Sequence, residues 1–425
     1  MKTIYTISLV AILIVLGTVA AAEQTVKLGL ISPQSGSYSV YGQDQQRAAV
    51  MAVEEINADG GILGHQVELI IMDSKSRADV SAESVFELIK NQRVEAVFGG
   101  VSGEATGIVS DICQRSEVVF MAPVAFANTD GGKKSHRYSF QGGFNPRMAA
   151  RATADYMNQN LSGQKLCYLV TDQRWGWSTE SNLRNWTQTR DEVDHKRFLI
   201  PPGTNGPALE NILDQVRACQ PKALILVQLG DDLVASLKMI SANGLKDKLE
   251  VVAPVVTLDL AEAVGADAMA GVVGCTDWTW CVPYKYNHPE GIGFVDRFSE
   301  RFGRYPSSLA ANAYTCLKEY QIAVQQVGSF DAPAVIENLE GRQFSSLKDQ
   351  QQWRSWDHQC VQSVYVVQGK PKNEVLADGY QLDFFNILDK VSGQSVVATR
   401  EEWNLQRERA GLSTSLEPLE AYAGE

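Results

Sequence analysis

The chain has 425 residues, 44% of them hydrophobic and 21% charged, which is the balance of a soluble globular protein large enough for two ordinary domains and excludes a disordered one. A formal net charge of -12 and a pI near 5.1, with no dense run of Lys and Arg, weigh against nucleic acid as a partner. A neutral or zwitterionic small molecule suits such a chain better than a polyanion.

The first 22 residues carry the marks of a secretory signal. Lys2 supplies the positive start, Ile7 to Leu16 are nearly all apolar, and Ala20-Ala21-Ala22 form a small-residue cleavage site, so the mature chain is expected to begin near Glu23. The apolar run falls short of the ~20 residues that span a bilayer, and no Cys follows it where acylation would need one. A free product in the periplasm is expected. Export places the seven cysteines in an oxidising compartment. They show no CxxC and no Cys/His ligand spacing, so no zinc site is expected. Cys167 in KLCYLV and Cys316 in a helix-like stretch read as small buried thiols. Cys275 and Cys281, the closest in sequence, are the candidate disulfide pair.

From Thr25 the pattern alternates: strand VKLGLISP, a helix from about Gln43 to Asn57, strand QVELIIMD, a helix near Val80 to Asn91, and strand VEAVFGG. Such alternation builds a parallel sheet with helices on both faces. Ala49, Ala52, Val53 and Ile56 fall at i, i+3, i+4 and i+7, a stripe facing the sheet, and Gly60-Gly61 ends that helix. A second series follows Arg147: a helix from Met148 to Gln159, KLCYLVTD, an amphipathic segment through Trp186, KRFLIP, a helix near Leu209 to Ala218, and KALILVQL. LEVVAPVV then leads to the aromatic-rich TDWTWCVPYKYNHPE, with helices expected over Gly291 to Phe302 and Leu309 to Val327. No low-complexity linker separates the halves, so several strand crossovers should join them and serve as a hinge. From LDFFNIL onward a few strand-like stretches precede a Glu-rich polar end, which reads as a surface extension.

In open α/β sheets ligands bind beyond the carboxyl ends of the strands, so those loops hold the candidates. SPQSGSYSVYGQD sets Tyr38 and Tyr41 among small residues before a helix, where they either cover an apolar ligand or pack on that helix. After VEAVFGG a helix starts near Ser102, its apolar stripe formed by Ala105, Ile108, Val109 and Ile112. Ser102 is a good N-cap, and the amides of Gly103, Glu104 and Ala105 lack intrahelical partners. They can hold a ligand carboxylate, or Ser102 merely caps its helix. Glu104 is awkward beside an anion: it points away, or the bound group is a donor. Val124, Ala125 and Phe126 follow VVFMAP; Asp172, Trp175 and Trp177 follow LCYLVTD, the two Trp flanking a Gly in a turn. Those Trp form either a wall for the ligand or plain core. Gln228 ends the next such strand and offers a donor and an acceptor. Trp278 and Trp280 lie where the chain crosses between halves, as hinge packing or as a lid.

Enzyme signatures are missing from the sequence. His65, His136, His195, His288 and His358 show no HxH, HExxH or other metal spacing, Ser102 in GVSGE lacks the second Gly of a nucleophile elbow, and neither GxGxxG nor a Walker loop occurs. No cofactor or metal is expected, and a hydrolase built on Ser102 ranks last among the readings.

Three stretches give the chain a resemblance to the leucine/isoleucine/valine-binding family of periplasmic substrate-binding proteins of ABC importers. They are SPQSGSYSVYGQDQQRAAVMAVEEINADGGILGHQVELIIMD, FGGVSGEATGIVSDIC with APVAFA after it, and TDQRWGWS, within a likeness running from Val26 to about Lys370. The resemblance implies an α/β fold of two Rossmann-like lobes with parallel sheets joined by three crossovers, the type I periplasmic-binding fold. It would divide the chain into lobe 1 (23–142 and 277–350), lobe 2 (143–276 and 351–385) and a C-terminal extension (386–425). It implies no catalysis, a membrane permease as partner, and ligand contacts at Tyr41, Ser102, Gly103, Val124, Ala125, Phe126, Trp175 and Tyr314. Amino-acid binders of this family usually carry a hydroxyl near the Phe126 position and a carboxylate in the loop where this chain has Pro254 and Val255. Their absence disfavours an α-amino acid, since an unpaired buried ammonium is costly; Glu104, Asp172 and Asp277 are the acids left to meet one. An aromatic or hydrophobic carboxylate is the first expectation, with amides and amino acids behind it. A ligand-sensing receptor for a membrane signalling partner is the alternative reading.

Overall fold

The computed structural model describes residues 25–124 and 135–416; the signal features, Ala125 and Phe126 lie outside the described residues. The first sheet holds β1 (Thr25–Ser32), β2 (Gln66–Asp73), β3 (Ala96–Gly99), β4 (Val119–Ala122) and β5 (Ser139–Gln141), in the order β2-β1-β3-β4-β5 and parallel throughout. Its crossovers are α1 (Ser39–Ala58), α2 (Ala78–Phe86) and α3 (Gly103–Ser116).

The second series runs α4 (Pro146–Asn160), β6 (Leu166–Thr171), α5 (Arg174–Thr187), β7 (Lys196–Ile200), α6 (Gly206–Cys219), β8 (Ala223–Val227), α7 (Gly230–Ala242), β9 (Glu250–Ala253), α8 (Leu258–Val264), α9 (Ala266–Met269) and β10 (Val273–Thr276). The chain then returns to the first half through α10 (Cys281–Tyr286), α11 (Pro289–Phe302), α12 (Ser308–Val327), which packs along α1, and α13 (Ala332–Leu339). A small sheet of β11 (Gln343–Phe344), β12 (Gln351–Trp353) and β13 (Cys360–Val361) precedes β14 (Val364–Gly369), α14 (Lys372–Ala377), β15 (Phe385–Val391), α15 (Gly393–Val396) and α16 (Arg400–Arg409).

The second sheet has the order β15-β14-β10-β9-β8-β6-β7. Its centre is parallel, but β14 pairs antiparallel with both β10 and β15. Every residue of β6 and β8 is buried, because helices cover both faces and an uninterrupted apolar run is what such strands need. The edge strand β7 exposes Lys196, Arg197 and Leu199 and buries Phe198 and Ile200.

Three crossing segments are laced together. The Asp277 carboxylate, on the second, accepts the amide of Phe144 on the first at 3.0 Å and Asn312 Nδ2 at 2.8 Å. Buried Lys348 donates to Asp277 O at 2.5 Å and to Ser363 O, on the third crossing, at 3.0 Å. Gln362 closes the set by donating to Gly142 O at 2.6 Å. Burial raises the Asp277 pKa, against the pull of Lys348 and Asn312. Trp278 is buried here against Phe294, and Trp280 stacks on Tyr305 at 3.9 Å, so both act as packing.

Two sequence expectations are corrected. Residues 386–416 are no loose extension: β15 is an edge strand of the second sheet, and α16 opens with a capping box between Thr399 and Glu402 and buries Trp403. The partly polar face of an edge strand hid it. Cys275 and Cys281 are both free thiols. Cys275 turns toward α4, with its sulfur 3.4 Å from Thr153 Oγ1, while Cys281 opens α10 beyond the crossing. Cys167 and Cys316 are buried, as their strand and helix settings predict.

Candidate functional site

The site is assembled by two helices that start where strands end. Tyr41, in the first turn of α1, is 1% exposed, and Gln45 follows on the same face one turn later. Gln45 Nε2 donates to Gly100 O at 3.3 Å, which draws α1 to the loop that leads into Ser102. On the other side, the Gly230 amide donates to the Tyr41 hydroxyl at 3.1 Å, so this bond spans the first and second halves. Gly230 stands two residues after Gln228, in the left-handed region at φ +56°. A Cβ there would meet the Tyr38 ring at 3.3 Å, which is why glycine fits beneath the two tyrosines. The Tyr38 hydroxyl in turn pairs with Gln173, the residue that precedes α5 and stands two before Trp175.

Contacts through Gly100, Tyr41, Gly230, Tyr38 and Gln173 therefore run along one seam, and Ser102, Gln228 and Trp175 each stand two residues from a member of that chain. Ser102 caps α3 by accepting the Ala105 amide at 3.3 Å. Gly103 opens that helix, and Glu104 is exposed on its outer side. Val124 is buried two residues after the end of β4. A recess of about 10 Å³ beside Tyr38, Ser76, Gly100 and Ser102 has room for about one water. Larger hollows of about 290 Å³ lie elsewhere, one under the small sheet among Gln343, Gln351 and Gln362 and another between Arg47 and Phe302. Neither is lined by Tyr41, Ser102, Gln228 or Trp175.

The polar atoms of the second half are the informative ones. Gln228 is 1% exposed, yet neither atom of its amide finds a hydrogen-bond partner among the described residues; the same holds for the Trp175 indole nitrogen. Buried polar groups without partners are costly, so these atoms have donor and acceptor capacity to offer, although the Trp353 and Trp403 indoles elsewhere in the fold are unpartnered too. Asp232 is held by the Gly203 amide at 2.7 Å and by Thr171 Oγ1 at 3.2 Å, while burial raises its pKa. Burial first, and the Asp232 charge second, also raise the Tyr38 phenol.

Two expectations need correction. Trp175 and Trp177 do not flank a turn: both lie in the first turn of α5, and residues two apart on a helix face different ways. Trp175 goes inward, whereas Trp177 is 50% exposed and donates to Asp172 Oδ1 at 2.8 Å. Tyr314 stands apart from the seam. Its hydroxyl donates to Glu55 at 2.5 Å, fourteen residues and roughly 20 Å along α1 from Tyr41, and its ring packs on Phe294. Sequence reading missed Gln45 and Gly230; the i, i+4 spacing of Tyr41 and Gln45 was the available signal.

A Ser-His-Asp grouping does occur, at Ser110 rather than Ser102. Ser110 Oγ lies 2.9 Å from His136 Nδ1 and 2.7 Å from Ser139 Oγ, and His136 Nε2 lies 3.1 Å from Asp111. Ser110 sits in the middle of α3 and is buried. Its neighbouring amides belong to the helix's own ladder and cannot serve an oxyanion. The grouping ties α3 to β5.

A family model described as periplasmic binding protein matches residues 25–374. A Leu/Ile/Val-binding protein of Rhizobium johnstonii is 32% identical over 331 residues, covering 75% of this chain and 84% of that one. Among solved structures, a periplasmic binding protein from Burkholderia mallei superposes with a TM-score of 0.78 at 20% identity, covering 89% of this chain and 98% of the other. A solute-binding protein of an ABC transporter from Rhodopseudomonas palustris, in complex with 3,4-dihydroxybenzoic acid, does so with a TM-score of 0.74 at 19% identity, covering 87% and 98%. The structural likenesses speak for the fold, and the family match with its Rhizobium relative speaks for descent. The chain belongs to the periplasmic binding protein family.

Proposed function

We propose that this protein is the solute-binding receptor of an ABC importer, exported by a cleaved signal, which closes on a small organic molecule, catalyses nothing and presents its closed form to a membrane permease. The observation that carries the reading is the seam. Tyr41 of one half holds the Gly230 amide of the other, with the unpartnered amide of Gln228 two residues before Gly230 and the unpartnered indole of Trp175 two residues after Gln173, which pairs with Tyr38.

A ligand with a carboxylate and an apolar or aromatic body fits these groups best. The amides at the start of α3 suit the carboxylate, and the Trp175 ring suits the body. None of the acids singled out in the sequence is placed to meet an ammonium. Val255 is apolar and buried, Asp277 is engaged in the crossings, Asp172 accepts from Trp177, and Glu104 is exposed. The aromatic acid held by the Rhodopseudomonas relative supports the same class.

The test is a thermal-shift screen with p-hydroxybenzoate, benzoate, L-leucine and acetamide. A ligand at a hundred times its Kd adds about 2.7 kcal/mol to the folded state, a rise of several degrees. An aromatic acid should give the largest rise, and Trp175→Ala should abolish it. A rise with L-leucine alone would overturn the ligand class; no rise with any solute of the four kinds would count against the receptor reading.

A further inference from the structure

A second set of residues crosses the same seam by charge rather than by ring contact. Asp44 on α1 is fully buried and Asp259 on α8 is 5% exposed; the two belong to opposite halves and share Arg304, and the Asp44 charge bears on Asp259. Arg304, just after α11, lies between them. Its Nε is 3.5 Å from Asp44 Oδ1, and its Nη2 is 3.6 Å from Asp259 Oδ1 and 2.9 Å from Glu262 Oε2. Asp44 also has Arg47 Nη1 at 2.5 Å and accepts the Ser307 amide at 3.2 Å. The Ser307 side chain reaches Asp259 as well, and the Tyr41 phenol feels the Asp259 charge.

Three carboxyls therefore face two guanidiniums at the seam, and the charges balance when one carboxyl carries a proton. Placing two carboxylates together out of water favours that outcome, because the charged form of one is destabilised both by burial and by the other. When the halves part, α8 carries Asp259 and Glu262 away from α1 and Arg304, and the reason for holding a proton goes with them. Burial first and Asp44 second hold Asp259 well above the ordinary carboxylate range, against the opposing pull of Arg304 and Ser307.

We propose that Asp44, Arg304 and Asp259 form a proton-dependent latch: closing of the two halves takes up one proton, and the latch, together with the bound molecule, sets how much of the protein is closed. The proposal rests on the receptor reading only in requiring that the halves open and close. The sign follows from the raised acid. Between the open-state value, near that of a free carboxyl, and the higher closed-state value, the closed form binds more protons. Closure is thus favoured as pH falls through that window, and it loses the support as pH rises above it. Within the window the open-to-closed ratio changes by up to about tenfold per pH unit for one proton. Apparent ligand affinity follows the fraction that is closure-competent, so residues remote from the ligand would tune it.

The experiment is small-angle X-ray scattering of the full mature protein from pH 5 to 8 without added ligand. Wild type should grow more compact as pH falls. Asp259→Asn, a neutral stand-in for the protonated acid, should stay compact across the range and lose the response. Asp44→Asn should lose it too, and gives a second reading if one variant folds poorly by circular dichroism. Arg304→Met should shift the population toward the open form at pH 7.5. A wild-type radius of gyration that stays flat over this range, or an Asp259→Asn protein that keeps the wild-type response, overturns the latch. The receptor reading is judged separately. A protein that binds none of the screened solutes but shows the Asp259-dependent response keeps the latch and loses the receptor, while ligand binding with a flat scattering profile does the reverse.

Discussion

The two halves make the same entrance from different materials. In each, the helix after the first strand of its sheet begins with an aromatic followed by glycine: Tyr41-Gly42 on α1 and Trp175-Gly176 on α5. A Cβ on Gly42 would sit 1.8 Å from Pro33 O, and one on Gly176 would sit 2.1 Å from Thr171 O. Both helices therefore ride on the carbonyl at a strand's end, which fixes each aromatic beside that end. Both halves leave buried polar atoms over, Gln45 Oε1 and Thr106 Oγ1 in the first as well as those of the second, and the difference lies in the aromatics themselves. Tyr41 has its hydroxyl engaged by Gly230, whereas Trp175 and Gln228 keep polar atoms without partners among the described residues. On the proposed reading, Tyr41 supplies the clamp, and Trp175 and Gln228 supply groups that read the guest.

The shared part is the most sensitive to change. Gly42→Ala and Gly176→Ala each force a methyl into a backbone oxygen, and each should cost about 3 kcal/mol, at the upper end for overpacking. Urea unfolding measures both. A tolerated Gly176→Ala beside a ruinous Gly42→Ala would break the equivalence of the two entrances.

Trp175 and Trp177 sharpen the comparison next. Trp175→Ala should weaken ligand binding by about 100-fold, as loss of a central aromatic anchor does, with a lowered but cooperative thermal transition. Trp177→Ala, at an exposed position, should stay within about 0.5 kcal/mol of wild type in both stability and binding. Isothermal calorimetry with the solute that gives the largest thermal shift decides it, and equal losses in the two variants would remove the inward and outward distinction.

Gln228→Leu separates reading from folding. Replacing a buried amide that has no partner by an apolar group of similar size should leave the unfolding free energy unchanged or raise it by about 1 kcal/mol. Ligand affinity should nevertheless fall by about tenfold, the worth of one hydrogen bond. A variant that lost stability and kept its affinity would show the amide to be part of the fold.

Much of this layout was legible in the sequence because period and position carry it. The stripe of Ala49, Ala52, Val53 and Ile56 marks α1, and the strand-end rule leads to Tyr41, Ser102 and Gln228. What misled the reading has local causes. The Gly of Trp175-Gly176-Trp177 looks like a turn signal, but it is demanded by the close approach of a helix to Thr171 O. Strand β15 shows its character only beside β14, since an edge strand can be polar on half its faces. Tyr314 came from resemblance alone, with no strand-end position behind it. Asp44, Arg304 and Asp259 meet only after the chain has crossed between the halves, so no spacing in the sequence announces them.

The smallest expected effect bears on the clamp itself. Tyr41→Phe keeps the ring that packs against Tyr38 and removes only the oxygen that accepts the Gly230 amide, so its cost should be about 1 kcal/mol. Ser102→Ala, which removes the cap of α3, should cost a similar ~1 kcal/mol. The two losses should surface differently. The Ser102 cap lies within the first half and should lower that half's resistance to urea. The Tyr41 bond joins the halves, so its loss should leave unfolding nearly unchanged and instead weaken ligand affinity by about fivefold, through a less favourable closure. If Tyr41→Phe lowered the unfolding midpoint and left the affinity intact, Tyr41 would be a staple of the fold, and the division of labour between the halves would fail at its first member.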